Sequence, residues 1–239
     1  MAEFVKKIVI PKDFNGPPRS ANGGIAAGFL AKKIGGVVTV RLFSPPPLAT
    51  PIEVISTSKG REAHFNGDII MTAEPGFLDL EPPRIDRKQA EAATAPFVGH
   101  SAVTCFVCGP DRDSGLHLLP GSVEGKPVHA TTWTPSSSTL GSDGFVLEEI
   151  VWGALDCPAA IMFTRLFPDE DFFAALVTIT AQIVKPLEVG ETYTVVAWPR
   201  GREDRKLYAG TALMDSAGYV NALSDQVCLS MPAEWGGAG

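Results

Sequence analysis

The hydrophobic and polar positions along the 239 residues change their period several times, and each change predicts an element. Phe4 to Ile10 has strand character, after which Pro11, Asn15, Gly16, Pro17 and Pro18 force a loop. From Asn22 onward Ile25, Ala26, Phe29, Leu30 and Ile34 recur at helical spacing, and Gly35-Gly36 ends the run as a left-handed cap does. Three strand candidates follow, Val37 to Phe43, Ile52 to Thr57 and Arg61 to Met71, the last with an Asn66-Gly67 turn inside it. Pro45-Pro46-Pro47 separates the first two. From about Pro75 to Thr104 the pattern dissolves into Pro82, Pro83, Pro96 and one short helix candidate, Arg87 to Ala93, and reads as a linker.

After Cys105 the order of elements returns: a strand near Val128 to Trp133, a Ser-rich loop, a helix from about Val146 to Phe163, then four strands. Along Leu176 to Val184, Val177, Ile179, Ala181 and Ile183 take one face and Thr178, Thr180 and Gln182 the other, the signature of a half-buried strand. At one fixed offset Val38-Thr39-Val40 falls on Val177-Thr178-Ile179 and Pro47-Leu48 on Pro186-Leu187. Two positions of slippage then bring Gly60-Arg61-Glu62 onto Gly201-Arg202-Glu203. The reading is an internal duplication: a first domain over 1–75, a linker over 76–104 and a second domain over 105–239. A long helix followed by an antiparallel meander hides its apolar stripe most cheaply when the sheet curls around it, so each domain is expected to be α+β. The second helix is apolar nearly all round and should be buried inside its sheet.

Composition narrows the partners. A formal net charge of -7 supplies no basic footprint for a phosphate backbone, so nucleic acid is not expected. No apolar run approaches the roughly 20 residues that span a bilayer, and the start MAEFVKKIVIPKDF is too polar for a signal peptide, which makes the cytoplasm the expected compartment. The four cysteines are then expected as reduced thiols.

Two sets of residues carry a resemblance. Cys105-Phe106-Val107-Cys108-Gly109-Pro110, followed by Gly115-Leu116-His117-Leu118, resembles the opening of hotdog-fold acyl-CoA thioesterases of the phenylacetyl-CoA and 4-hydroxybenzoyl-CoA type. Trp152-Gly153-Ala154-Leu155-Asp156 resembles their central helix. In the first half, Gly16-Pro17-Pro18 and Asn22-Gly23-Gly24-Ile25-Ala26-Ala27 are similar to the loop and His-Gly-Gly helix start of the same families. The resemblance implies two tandem hotdog domains, each a central helix wrapped by a curved antiparallel sheet, paired as a pseudo-dimer. It further implies a site shared between paired units, one offering a backbone N–H at its glycine-rich helix start and the other an acid about nine positions into its own helix.

The two halves depart from that pattern in complementary ways. Gly23-Gly24 are kept in the first half, with Asn22 where His is usual, but the acid position holds Ala31. In the second half Asp156 is kept, while Leu147-Glu148-Glu149 occupies the glycine position. One intact composite site and one dead one are expected.

The chemistry required is thioester hydrolysis: a donor for the oxygen that becomes negative, and a base or nucleophile for attack on the carbonyl. Gly23 is the expected oxyanion donor, with Asn22 beside it, and Asp156 the base or nucleophile. Gly24, Glu149, Trp152 and Thr178 are the expected substrate-binding residues, Glu149 projecting from the same face as Asp156 and Thr178 being the nearest hydroxyl past it. The bland reading of each stands beside this one: a tight turn for the glycines, a satisfied buried carboxylate beside a helix break at Pro158 for Asp156, and first-turn acids on the helix dipole for Glu148 and Glu149. Trp133, Phe145 and Trp152 either line an acyl pocket or pack the core, and Arg19, Lys32, Lys33 and Arg41 either meet coenzyme A phosphates or are plain surface charges. Cys105 and Cys108 form a lone CxxC with His100 and His117 nearby, too little for a structural zinc site, so no metal and no cofactor is expected. None of the four histidines follows a candidate Asp by five positions, which argues against a hydratase. The expected partner is an acyl-CoA or acyl-carrier thioester, with a homo-oligomer of double-hotdog units left open, and the alternative function is a non-catalytic acyl or acyl-CoA binding protein of the same fold.

Overall fold

The structure, a computed structural model, describes residues 6–32, 34–95 and 102–237. Lys33, His100 and the start of the first expected strand lie outside these residues. In chain order the elements are β1 (Lys6–Val9), α1 (Gly23–Ala31), β2 (Val38–Leu42), β3 (Pro51–Ser56), β4 (Arg61–Phe65), β5 (Asp68–Pro75), α2 (Arg87–Ala93), β6 (Gly121–Ser122), β7 (His129–Trp133), α3 (Glu148–Leu166), β8 (Phe172–Ile183), β9 (Tyr193–Glu203), β10 (Lys206–Met214) and β11 (Val220–Pro232).

Among the described residues all eleven strands join one sheet in the order β1-β3-β4-β5-β2-β8-β11-β10-β9-β7-β6, and every pairing is antiparallel. Read outward from the β2–β8 seam, one side runs β2-β5-β4-β3-β1 and the other β8-β11-β10-β9-β7, the same succession of strands in the same chain order. The seam sets Val38 opposite Ala181, Thr39 opposite Thr180 and Val40 opposite Ile179, and the Thr39 and Thr180 hydroxyls meet at 2.8 Å. The turn between β4 and β5 has positive φ at both central residues, 53° at Asn66 and 89° at Gly67, which is what a two-residue hairpin needs to match strand twist.

The two long helices pack on each other at the seam, and small residues let them approach closely. A Cβ on Gly24 would stand 2.5 Å from Asp156 Cβ, one on Gly28 would stand 2.6 Å from Glu149 Cα, and one on Gly153 would stand 2.6 Å from Ile25 Cγ1. Around them Ile25, Leu30, Val40, Ile52, Met71, Ile150, Leu155 and Ile179 form the main core, all essentially inaccessible. Within 76–104, α2 is closed by a reciprocal capping box, Asp86 accepting from Gln89 N–H and Gln89 from Asp86 N–H. Its Ala90 and Ala93 join Ile85, Val123, Val128, Ala130, Val196 and Met214 in a separate cluster.

The expected run of the second long helix past Pro158 to about Phe163 holds: α3 continues to Leu166, without the break that the bland reading of Asp156 placed there. A proline inside a helix removes one N–H and crowds the preceding turn. Here the carbonyl of Leu155, on the turn the proline disturbs, accepts from Thr211 Oγ1 at 2.8 Å and Gln226 Nε2 at 2.7 Å. The carbonyl that Pro158 leaves without a helical donor is that of Ala154, and at the next residue side chains of β10 and β11 tie α3 to the sheet.

Candidate active site

Asn22 is the N-cap of α1, its Oδ1 accepting from Ile25 N–H at 2.9 Å. The first turn of a helix leaves its N–H groups without internal partners, so each must find an acceptor elsewhere. Asn22 itself takes Ile25, and Gly24 N–H donates to Asp156 Oδ2 at 2.8 Å. Among the described residues the Gly23 N–H has no acceptor, and Gly23 lines a cavity. A donor without a partner at the positive end of a helix, on a residue that lines a cavity, is suited to an anion or oxyanion.

Asp156 reaches this point from α3. Both helices carry their N-cap at matching places, Asn22 and Leu147, so Asp156 stands nine residues past its cap where α1 has Ala31. Burial pushes the Asp156 carboxyl up to about 7, against the pull of the Gly24 N–H, with Cys105 pushing it up and the Asn22 amide down. A carboxyl in this range exchanges protons with water near neutrality, as a general base must.

The cavity has a volume of about 450 Å³. Its floor holds Asn22, Gly23, Asp156, Cys105, Cys108 and Cys157. Its walls are apolar, among them Phe43, Phe173, Leu176, Leu229, Met231 and Trp235. Among the described residues Asp156 is its sole charged lining residue. Leu176 closes on the helix start: a Cβ at Gly23 would lie 3.2 Å from its side chain and 3.5 Å from Asp156 Oδ2.

The other expected substrate contacts are placed elsewhere. Glu149, at the position matching Gly24, forms an ion pair with Lys32 through both oxygens, at 3.0 and 3.2 Å, with only 5% of its side chain exposed. Lys32 follows Ala31, the residue that matches Asp156, so this ion pair fills the counterpart of the Gly24–Asp156 contact. Trp152 packs between the helices, Gly24 is covered, and Thr178 lies on β8 opposite Arg41; none of the three lines the cavity. Trp133 joins Trp152 in the core, Phe145 is exposed, and the ring walls of the cavity come instead from Phe43, Phe173 and Trp235. Arg19 and Arg41 are exposed, while Lys32 is committed to Glu149. His64 bonds Glu62 and His129 bonds Ser122, both outside the cavity. The cysteines on the cavity floor were missed as neighbours of Asp156, because only the fold joins Cys157 to the CxxC pair.

The Lys32–Glu149 pair gives a prediction about stability. Lys32→Met leaves a carboxylate buried between the helices, and removing one partner of a buried pair costs about 3–5 kcal/mol. Because the Lys32 side chain is 31% exposed, water offsets part of this. We expect a loss of about 1–2 kcal/mol in urea unfolding. Adding Glu149→Leu to Lys32→Met restores most of it; a double variant as unstable as the single one would show that packing, not charge, is at stake.

No family model and no curated protein matches the chain. Solved structures do. A candidate thioesterase from Novosphingobium aromaticivorans superposes with a TM-score of 0.60 at 14% identity, covering 95% of both chains. A candidate thioesterase II from Thermobifida fusca gives a TM-score of 0.61 at 16% identity, over 94% of this chain and 93% of that one. Among the described residues no helix is long and apolar enough to cross a membrane. At these identities the likeness is one of fold, and the fold is the hotdog.

Proposed function

We propose that the chain hydrolyses acyl thioesters at one composite site formed by a tandem pair of hotdog units, 1–75 and 105–239, joined by 76–104. The observation that carries this reading is the meeting of two groups at the cavity floor: the uncommitted Gly23 N–H at the start of α1, and the buried Asp156 carboxyl held 2.8 Å from the neighbouring Gly24 N–H. The acyl chain lies against Phe43, Phe173, Leu176, Leu229 and Met231, and the thioester carbonyl oxygen accepts from Gly23 N–H. Asp156 takes a proton from a water that attacks the carbonyl carbon. The oxyanion so formed is stabilised by Gly23 and the helix dipole, and on its collapse the C–S bond breaks and the thiolate leaves. Asp156 then returns its proton to the thiolate.

Asn22 serves this site by fixing the first turn, since its cap on Ile25 N–H decides which amides stay free. The sister position is sealed by Lys32 and Glu149, which supports one working site per chain. Acyl-CoA or an acyl carrier in the cytoplasm fits as the thioester's source, with the carrier portion outside the cavity, whose lining among the described residues holds no cation.

The test is release of free thiol from a panel of acyl-CoA thioesters, short, long and aromatic, by the purified chain. Steady multiple turnover on at least one member is expected. Saturable binding across the panel with no thiol released would replace hydrolysis by acyl-CoA binding.

A further inference from the structure

Four cysteines are free among the described residues, and three of them gather at the cavity floor. Cys105 and Cys108 come from the loop that follows α2, and Cys157 from α3, next to Asp156. Their sulfurs all lie within 4.8 Å of one another, and Cys105 Sγ and Cys157 Sγ are 3.8 Å apart. Three thiolates at about 2.3 Å from one tetrahedral ion stand about 3.8 Å from each other, so one edge already has the required length and the others must close by about 1 Å at most.

The surroundings are built for sulfur that carries charge. The Asn22 amide points at the cluster, with Nδ2 3.3 Å from Cys157 Sγ and 3.9 Å from Cys105 Sγ. The loop is closed by Gly109, whose N–H donates to the Cys105 carbonyl at 2.8 Å, and a Cβ there would lie 2.4 Å from the Val103 carbonyl oxygen. A two-residue gap between ligands is the half-site spacing common in zinc-binding loops, and the fold supplies the third sulfur that the spacing alone lacks. All three residues line the cavity with Asp156.

We infer that Cys105, Cys108 and Cys157 form a site for one thiophilic divalent cation of the zinc type, with its fourth coordination position open to the cavity. Three protein ligands and an open position is the arrangement in which such an ion accepts a water or a substrate atom. Binding displaces the thiol protons, and the ion's charge then offsets most of the charge of three buried thiolates.

The experiment is a cobalt(II) titration of the full chain, reduced and stripped with chelator. A thiolate-to-cobalt charge-transfer band in the near ultraviolet, with visible bands of a tetrahedral ion, should saturate at one ion per chain and vanish on adding zinc. Cys157→Ser should weaken binding at least tenfold, while Cys228→Ser, whose thiol lies in a separate core cluster, should not. The wild-type titration does not depend on how any variant folds. Absence of the charge-transfer band in the folded, reduced protein would overturn the site. A band unchanged by Cys157→Ser would also overturn it, reducing it to the loop pair alone.

Discussion

Asp156→Asn is expected to lower kcat for acyl-thioester hydrolysis by about 10²–10⁴-fold, the span that positioned acid–base groups contribute. The side chain is 6% exposed, and one oxygen accepts from the Gly24 N–H. Asparagine has nearly the same shape, and its carbonyl oxygen can keep that bond, so the helix contact and the cavity persist. What it lacks is a group that takes a proton from water. Stability should hold or rise, because a neutral amide carries no penalty for burying charge. The diagnostic pattern is therefore a large fall in kcat with KM and melting temperature close to wild type. A variant that turns over substrate like the wild type would remove Asp156 from the chemistry, whatever becomes of the fold.

The parts of this molecule that were legible in the sequence are those set by local rules. Alternation along 176–184 and the Asn66-Gly67 pair gave β8 and the β4–β5 hairpin, because strand period and turn backbone are properties of a few adjacent residues. The starts of the two long helices, near Asn22 and about Val146, were likewise legible, and the resemblance aligned Gly23-Gly24 with Glu148-Glu149 and Ala31 with Asp156. What escaped depends on which residue faces which across the fold. Glu149 shares a helical face with Asp156, yet lies beside Lys32 rather than in the cavity, and no periodicity names a partner on another helix. That Thr211 and Gln226, from strands far along the chain, both bond the Leu155 carbonyl has no local signature either. A CxxC pair reads as half a site until α3 brings Cys157 to it. For the same reason the aromatics stayed between two readings: Trp133 and Trp152 are large and apolar, which predicts burial but not which cavity, if any, they border, and both pack in the core.

Gly24→Ala should damage stability and activity together, and its neighbour Gly28→Ala should damage stability alone. At position 24 the new Cβ would lie 2.5 Å from both Asp156 Cβ and the Trp152 carbonyl oxygen, and 3.1 Å from Gly153 Cα. Two of those three atoms are backbone of α3, so no side-chain rotation relieves the clash and the helices must part. Overpacking of this kind costs about 1–3 kcal/mol and occasionally more, whereas the gain in helix propensity from Gly to Ala is only about 1 kcal/mol. With backbone on the opposing side the upper end applies, and a net loss of about 2–3 kcal/mol is expected, or roughly 4–12 °C in melting temperature for a chain of this size. Parting the helices at this point also lengthens the 2.8 Å bond that sets Asp156 against the helix start, so kcat of the folded fraction should fall about tenfold or more. At Gly28 the clash is with Glu149 Cα at 2.6 Å and Trp152 Cβ at 2.9 Å, one helical turn away from the carboxylate. Its variant should unfold more readily yet keep kcat near wild type once corrected for the folded fraction. If Gly24→Ala were as stable and as active as wild type, the close approach of α1 and α3 would not be what aligns Asp156 with the free amide of Gly23.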